Sequence, residues 1–179
     1  MNKLISSLVA CTALMAAQTA AAQHTTPYLD PAAPWTFTGT ADVSKGLFLP
    51  GCAVTIVLSG PDNNGDGLSI SHTDLSNVSA TMTLSGGLCG AVTIDPIPAG
   101  KVKYTGTSSS GTLTFEDVYA HTITLGDCSG DLAGAWDQAT GTLTIASGTM
   151  PPVNGGPPCT IDGEVQLTTP TAGSGTIVP

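Results

Sequence analysis

Val78-Ser79-Ala80-Thr81-Met82-Thr83-Leu84-Ser85-Gly86-Gly87-Leu88-Cys89 decides how the rest of the chain is read. Val78, Ala80, Met82 and Leu84 alternate with Ser79, Thr81 and Thr83, a period of two that marks a strand with one buried and one wet face. Ser85-Gly86-Gly87 then breaks the strand, and a cysteine follows. The same alternation recurs in Tyr119, His121, Ile123 and Leu125 against Ala120, Thr122 and Thr124. It recurs again in Ile161, Gly163, Val165 and Leu167 against Thr160, Asp162, Glu164 and Gln166. Trp35 with Phe37, Leu113 with Phe115 and Leu143 with Ile145 mark shorter strands. Ala53 to Leu58 is a continuous apolar-plus-Thr run, as expected of a strand covered on both faces. No later stretch offers a 3.6-residue stripe.

Turn residues punctuate these runs at Pro61-Asp62-Asn63-Asn64-Gly65-Asp66-Gly67, Asp95-Pro96-Ile97-Pro98-Ala99-Gly100 and Ser108-Ser109-Ser110-Gly111. Residues 148–158 form the longest irregular stretch, with four prolines that keep it out of a central strand. The predicted class is all-β: a single disulfide-stapled antiparallel β-sandwich or flattened barrel. The β domain spans residues 35–167. Residues 23–34 form an extended N-terminal tail and residues 168–179 a flexible C-terminal tail, both rich in Pro and Thr.

Residues 1–22 read as a signal peptide. Lys3 supplies the positive region, Leu4 to Met15 the short apolar segment, and Ala20-Ala21-Ala22 the cleavage site before Gln23. The apolar run is too short for a membrane span, which needs about 20 residues. Leu8-Val9-Ala10-Cys11 has the form of a lipobox, but processing there would leave a second signal-like alanine run in the product. The expected address is therefore secreted or extracellular, with periplasmic or cell-surface association as its neighbours. Cleavage discards Cys11 and leaves Cys52, Cys89, Cys128 and Cys159, an even set for disulfides in an oxidising compartment. Three pairings are open to four cysteines. Nearest-neighbour pairing, Cys52 with Cys89 and Cys128 with Cys159, is the expectation, each bond contributing about 3 to 4 kcal/mol in the chain-entropy picture.

Without residues 1–22 the chain carries Lys45, Lys101 and Lys103, no arginine and all thirteen acids, a net charge of −10. Nucleic acid and anionic membrane surfaces are poor partners for such a chain, because both need Lys and Arg. Its sparse charge suits secretion, carbohydrate or matrix contact, or self-association.

Candidate chemistry is thin. Asp62-Asn63-Asn64-Gly65-Asp66-Gly67 matches the first half of a calcium loop, but the twelfth position is Thr73 and Asp74 comes one place late. A hairpin loop of Asn, Asp and Gly is the preferred reading. No Cys-x-x-Cys or His-x-x-x-His spacing supports zinc. His72 and Asp74 would share a strand face and could act as base and orienter, although a surface histidine is the preferred reading. His121 reads as a partly buried core histidine and His24 as part of the tail. Asp127 and Asp131 flank Cys128, and Glu116 adjoins Asp117. Paired carboxylates can hydrolyse glycosides, but aspartates beside glycine are usually turn formers. Trp35 and Trp136, the only two tryptophans, belong to the core by default. No catalytic, cofactor-binding or metal residue is assigned, and no cofactor is expected.

An ordered set of motifs resembles the secreted alkane oxidation protein activator family (Pra-type, PraA/PraB-like). Phe37-Thr38-Gly39-Thr40 comes first, then Cys52 opening an apolar strand, Leu84-Ser85-Gly86-Gly87-Leu88-Cys89 and Gly126-Asp127-Cys128. Trp136-Asp137-Gln138-Ala139-Thr140-Gly141-Thr142-Leu143-Thr144 and Cys159-Thr160-Ile161-Asp162-Gly163-Glu164-Val165 complete the set. The Pro-rich insertion before Cys159 and the loop at residues 62–67 depart from the pattern. The resemblance implies a non-enzymatic secreted accessory protein that promotes dispersal, uptake or oxidation of long-chain alkanes, with a hydrophobic substrate or an oil–water interface as its partner, and it supplies no catalytic residues. The alternative is a structural subunit of an extracellular fibre, biofilm matrix or adhesin.

Overall fold

A computed structural model describes residues 26–62, 72–123 and 126–179. The candidate signal peptide, its cleavage site, Cys11, His24, residues 63–67 of the calcium-like loop, Thr124 and Leu125 lie outside the described residues. The strands are β1 (Tyr28–Asp30), β2 (Trp35–Lys45), β3 (Leu47–Ser59), β4 (Thr73–Asp74), β5 (Ser79–Ser85) and β6 (Thr93–Ile94). They continue as β7 (Val102–Gly106), β8 (Ser110–His121), β9 (Cys128–Asp137), β10 (Thr142–Met150), β11 (Cys159–Thr169) and β12 (Thr176–Val178). Two 3-10 turns, Leu75–Asn77 and Gly87–Ala91, flank β5.

Eight of these strands close an antiparallel barrel in the order β6-β5-β3-β2-β11-β10-β9-β8. The ring closes where β6 returns to β8, pairing Thr93 with His121 and Ile94 with Ala120. β7 adds alongside the first half of β8. The architecture is thus a barrel and not a sandwich. The closing segment is the one whose prolines read as a turn. Pro96 and Pro98 have no N–H to give, but the Ile97 amide between them donates to Ala80 O at 2.8 Å, and Asp95 N donates to Tyr119 O at 3.0 Å. Alternate donors suffice to hold a short strand between β5 and β8.

A barrel has one interior, and this corrects the reading of residues 53–58. Val54, Ile56 and Leu58 are buried, whereas Ala53 is exposed and Thr55 and Val57 are only half-buried. β5 and β11 follow the alternation read from sequence, with Ala80, Met82, Leu84, Ile161, Val165 and Leu167 inward. β8 does not. Its register shifts between Phe115 and Val118, and Asp117 takes a positive φ of 55°. A residue inserted into a period of two sends everything beyond it to the other face. Leu113 and Phe115 point inward before the bulge, Val118 and Ala120 after it, and His121 is exposed rather than partly buried. A second bulge, between Ile145 and Gly148, lets β10 run on to Met150, so the irregular stretch is shorter than its sequence implied.

Gly39 faces Val165 where β2 pairs with β11. A Cβ there would collide with the backbone of Glu164 and Val165, so only glycine fits.

Strands also form on either side of residues 35–167, at Tyr28–Asp30 and Thr176–Val178. β1 pairs with both β12 and β4, forming a small sheet against one end of the barrel. Leu29 and Ile177 are fully buried within it. Trp35 Nε1 donates to Pro31 O at 2.8 Å, and Gln138 Oε1 accepts from Trp136 Nε1 at 3.2 Å and from Ile177 N at 3.3 Å. Below this cap Trp35, Phe37 and Trp136 pack as an aromatic cluster, with centroids 5.7 to 6.3 Å apart. One end of the barrel is closed.

Candidate functional site

The other end collects the β2–β3 turn, the 3-10 turn Gly87–Ala91, the β8–β9 connection and the proline loop between β10 and β11. Both disulfides lie here. Cys52 near the start of β3 is bonded to Cys89 in the 3-10 turn, with Cα atoms 5.6 Å apart. Cys128 at the start of β9 is bonded to Cys159 at the start of β11, at 6.1 Å. The first crosslink ties the 3-10 turn back to the barrel wall, and the second joins two wall strands across β10.

Between these loops opens a cleft of about 570 Å³, counting the space at its mouth. Its inner wall is apolar: Val43 and Leu49 from the first hairpin, Leu84 from β5, Ile94 from β6, Ala120 from β8, and Leu132, Met150 and Ile161 from β9 to β11. The bulge in β8 is what turns Ala120, and not His121, toward this space. Leu47 and Ile123 stand at the mouth. The described residues include five exposed large apolar side chains: Leu47 and Phe48 at the start of β3, Leu88 in the 3-10 turn, Ile123 after β8 and Val153 in the proline loop. Phe48 is 60 % exposed and Ile123 51 %. Leu47 and Ile123 meet at the cleft they both line, and apolar side chains gathered in one place mark a contact surface more than scattered ones do. Transfer of each half-exposed side chain to hydrocarbon would gain about 1 kcal/mol.

Lys45 interrupts the apolar wall. It lines the cleft with 5 % exposure, and its Nζ donates to Asp127 O at 3.3 Å and lies 3.2 Å from Cys128 Sγ. A polar cluster sits outside the rim. Asp127 accepts from the Tyr119 hydroxyl at 3.1 Å and the Thr122 amide at 3.3 Å, and lies 3.4 Å from His121 Nδ1. His121 Nε2 reaches Asp95 at 3.2 Å. Partial desolvation pushes the Asp127 carboxyl up, but the Tyr119 hydrogen bond, the Thr122 amide and His121 together outweigh it and hold the carboxyl below its usual value. The Tyr119 hydroxyl is raised chiefly by the same hydrogen bond.

The remaining candidate residues have structural surroundings. His72 is buried, not at the surface, and meets the Tyr28 ring edge-on at 5.3 Å. Asp74 accepts from Ser76 N at 2.8 Å, where it caps a 3-10 turn, and from the Thr26 hydroxyl at 2.7 Å. Asp131 accepts from the Asp117 amide at 2.9 Å and so holds the β8 bulge. Glu116 and Asp117 share Lys101, at 3.9 and 2.6 Å. Both tryptophans are in the closed-end core. Among the described residues no group of His, Cys, Asp or Glu is arranged to hold a metal ion.

The family model described as "Alkane oxidation protein activator PraA/PraB-like" matches residues 1–174, nearly the whole chain. The chain belongs to that family. No curated protein and no solved structure matches it. In this PraA/PraB-like chain the cysteine-bearing motifs read from sequence fall at the open end, around the cleft, whereas Trp136 lies in the closed-end core. Among the described residues no helix is long and apolar enough to cross a membrane. Two disulfides are compatible with an oxidising compartment.

Lys45, Leu47, Phe48 and Ile123 were not singled out as site residues from sequence. Leu47-Phe48-Leu49 beside the turn at Gly46 carried the available signal, since three apolar residues in succession exceed what a half-buried strand needs.

Proposed function

We propose that this PraA/PraB-like protein is a non-enzymatic secreted accessory protein that promotes use of long-chain alkanes by offering its open barrel end to hydrocarbon. The observation that carries this reading is the apolar cleft edged by Leu47 and Ile123, with Phe48 exposed next to Leu47 in the chain. An alkane has no group for a hydrogen bond, so recognition must come from apolar area alone, and such area is concentrated at this end. The description of the family as an activator supports the assignment. Export through a signal peptide at residues 1–22 would bring the protein to the insoluble substrate. Deletion of the gene should slow growth on hexadecane and leave growth on a soluble carbon source unchanged.

A fibre or matrix subunit is the second reading. Among the described residues β7 pairs only with β8, which leaves its other edge for strand addition. That edge is short and carries Lys103, a feature that discourages edge-to-edge pairing. A discrete monomer or small oligomer in solution supports the accessory role, and polydisperse filaments support the fibre.

A further inference from the structure

Lys45 is the feature an alkane-contacting cleft leaves unexplained. We infer that the cleft also binds long aliphatic carboxylates, with the acid head at Lys45 Nζ and the chain along the apolar walls; this rests on the proposed reading that the cleft takes hydrocarbon.

The lysine is 95 % buried. A buried ammonium is tolerated when a counter-charge and hydrogen bonds replace its water. Lys45 has three protons to donate, but its neighbours are one backbone carbonyl at 3.3 Å and a disulfide sulfur at 3.2 Å, a weak acceptor. Among the described residues no carboxylate forms an ion pair with it. The nearby Asp127 side chain is occupied by Tyr119, Thr122 and His121, and only its backbone oxygen faces the lysine.

Lys45 lines the cleft beside the Cys128–Cys159 crosslink. Nζ lies against Cys128 Sγ, and the bonded Cys159 lines the cleft beside Met150, Thr160 and Ile161. An anion arriving through the mouth would supply the missing counter-charge in low-dielectric surroundings, where a charge-assisted hydrogen bond is strong. The walls beyond are apolar, so the complementary ligand is an aliphatic chain with one anionic end.

The test compares hexadecanoate, 1-hexadecanol and hexadecane binding to the disulfide-bonded protein, by displacement of a fluorescent aliphatic probe at neutral pH. The wild type should bind hexadecanoate at least tenfold more tightly than hexadecanol, and Lys45→Met should bind both alike while keeping its affinity for hexadecanol. Circular dichroism establishes that the variant is folded; if it is not, the wild-type preference for acid over alcohol decides alone. Equal affinity for acid and alcohol in the wild type, or an acid preference retained in folded Lys45→Met, overturns the carboxylate site and leaves the alkane reading standing. Failure of all three ligands to displace the probe overturns both.

Discussion

The Asp117 amide donates to the Asp131 carboxylate at 2.9 Å across the β8–β9 pair, and Asp117 holds a positive φ of 55° to do so. This contact maintains the bulge that reverses the facing of β8, puts Ala120 into the cleft wall and leaves His121 outside. The shape of the open end depends on it.

Asp131→Ala should therefore destabilise the barrel by about 1.5–3 kcal/mol, the range for a hydrogen bond to a charged group. Asp117→Gly should be neutral or slightly stabilising, because glycine adopts that backbone conformation without penalty. Urea denaturation of the two variants checks the pair, and a larger loss for Asp117→Gly would contradict the assigned geometry.

The crosslinks make a separate prediction. The Cys128–Cys159 bond closes a sequence separation of 31 residues and the Cys52–Cys89 bond one of 37. Replacing Cys128 and Cys159 together by Ser should cost about 3–4 kcal/mol in the chain-entropy picture. Thiol titration of the unfolded, unreduced wild type should find no free thiol in the secreted form, and the double variant should melt well below it.

Acid should weaken the rim. The folded-state pKa of Asp127 lies below the ordinary 3.8, so its ionised form stabilises the fold above that value. The contribution is lost as pH falls through the lowered pKa. Asp127→Asn should therefore be less stable than wild type near neutrality, and the gap should narrow as pH falls below about 4. Thermal melts of both proteins from pH 3 to 7 measure it, and a gap that widens in acid would contradict the sign.

How much of this was legible depends on whether a feature is local. The alternation in residues 79–85 and 159–167 marked β5 and β11 and their inward residues, because a strand's facing is written in its own period. In β8 the adjacent Glu116 and Asp117 broke the period, but the large Tyr119 made the wrong phase look apolar and the small Ala120 made the right one look indifferent. The closing strand was hidden by Pro96 and Pro98, which remove donors without removing the one at Ile97 that matters. The cleft had no local signature. It is assembled from strands far apart in the chain, and the burial of Lys45 depends on β9 and β11, which come more than eighty residues later.

The rim residues should separate stability from function. Phe48 and Ile123 are more than half exposed, so Phe48→Ser and Ile123→Ser should each change unfolding free energy by no more than about 0.5 kcal/mol. Gly39→Ala should do the reverse, destabilising the barrel because its new Cβ meets the β11 backbone. Denaturation curves for the three variants make the comparison.

Interfacial tension at a hexadecane–water boundary, measured by pendant drop, tests the central claim most directly. The purified wild type should lower the tension, and the folded double variant Phe48→Ser/Ile123→Ser should lose most of that effect at equal concentration. An equal fall in tension for both proteins would contradict the account, because contact with hydrocarbon would then not run through the open end of the barrel.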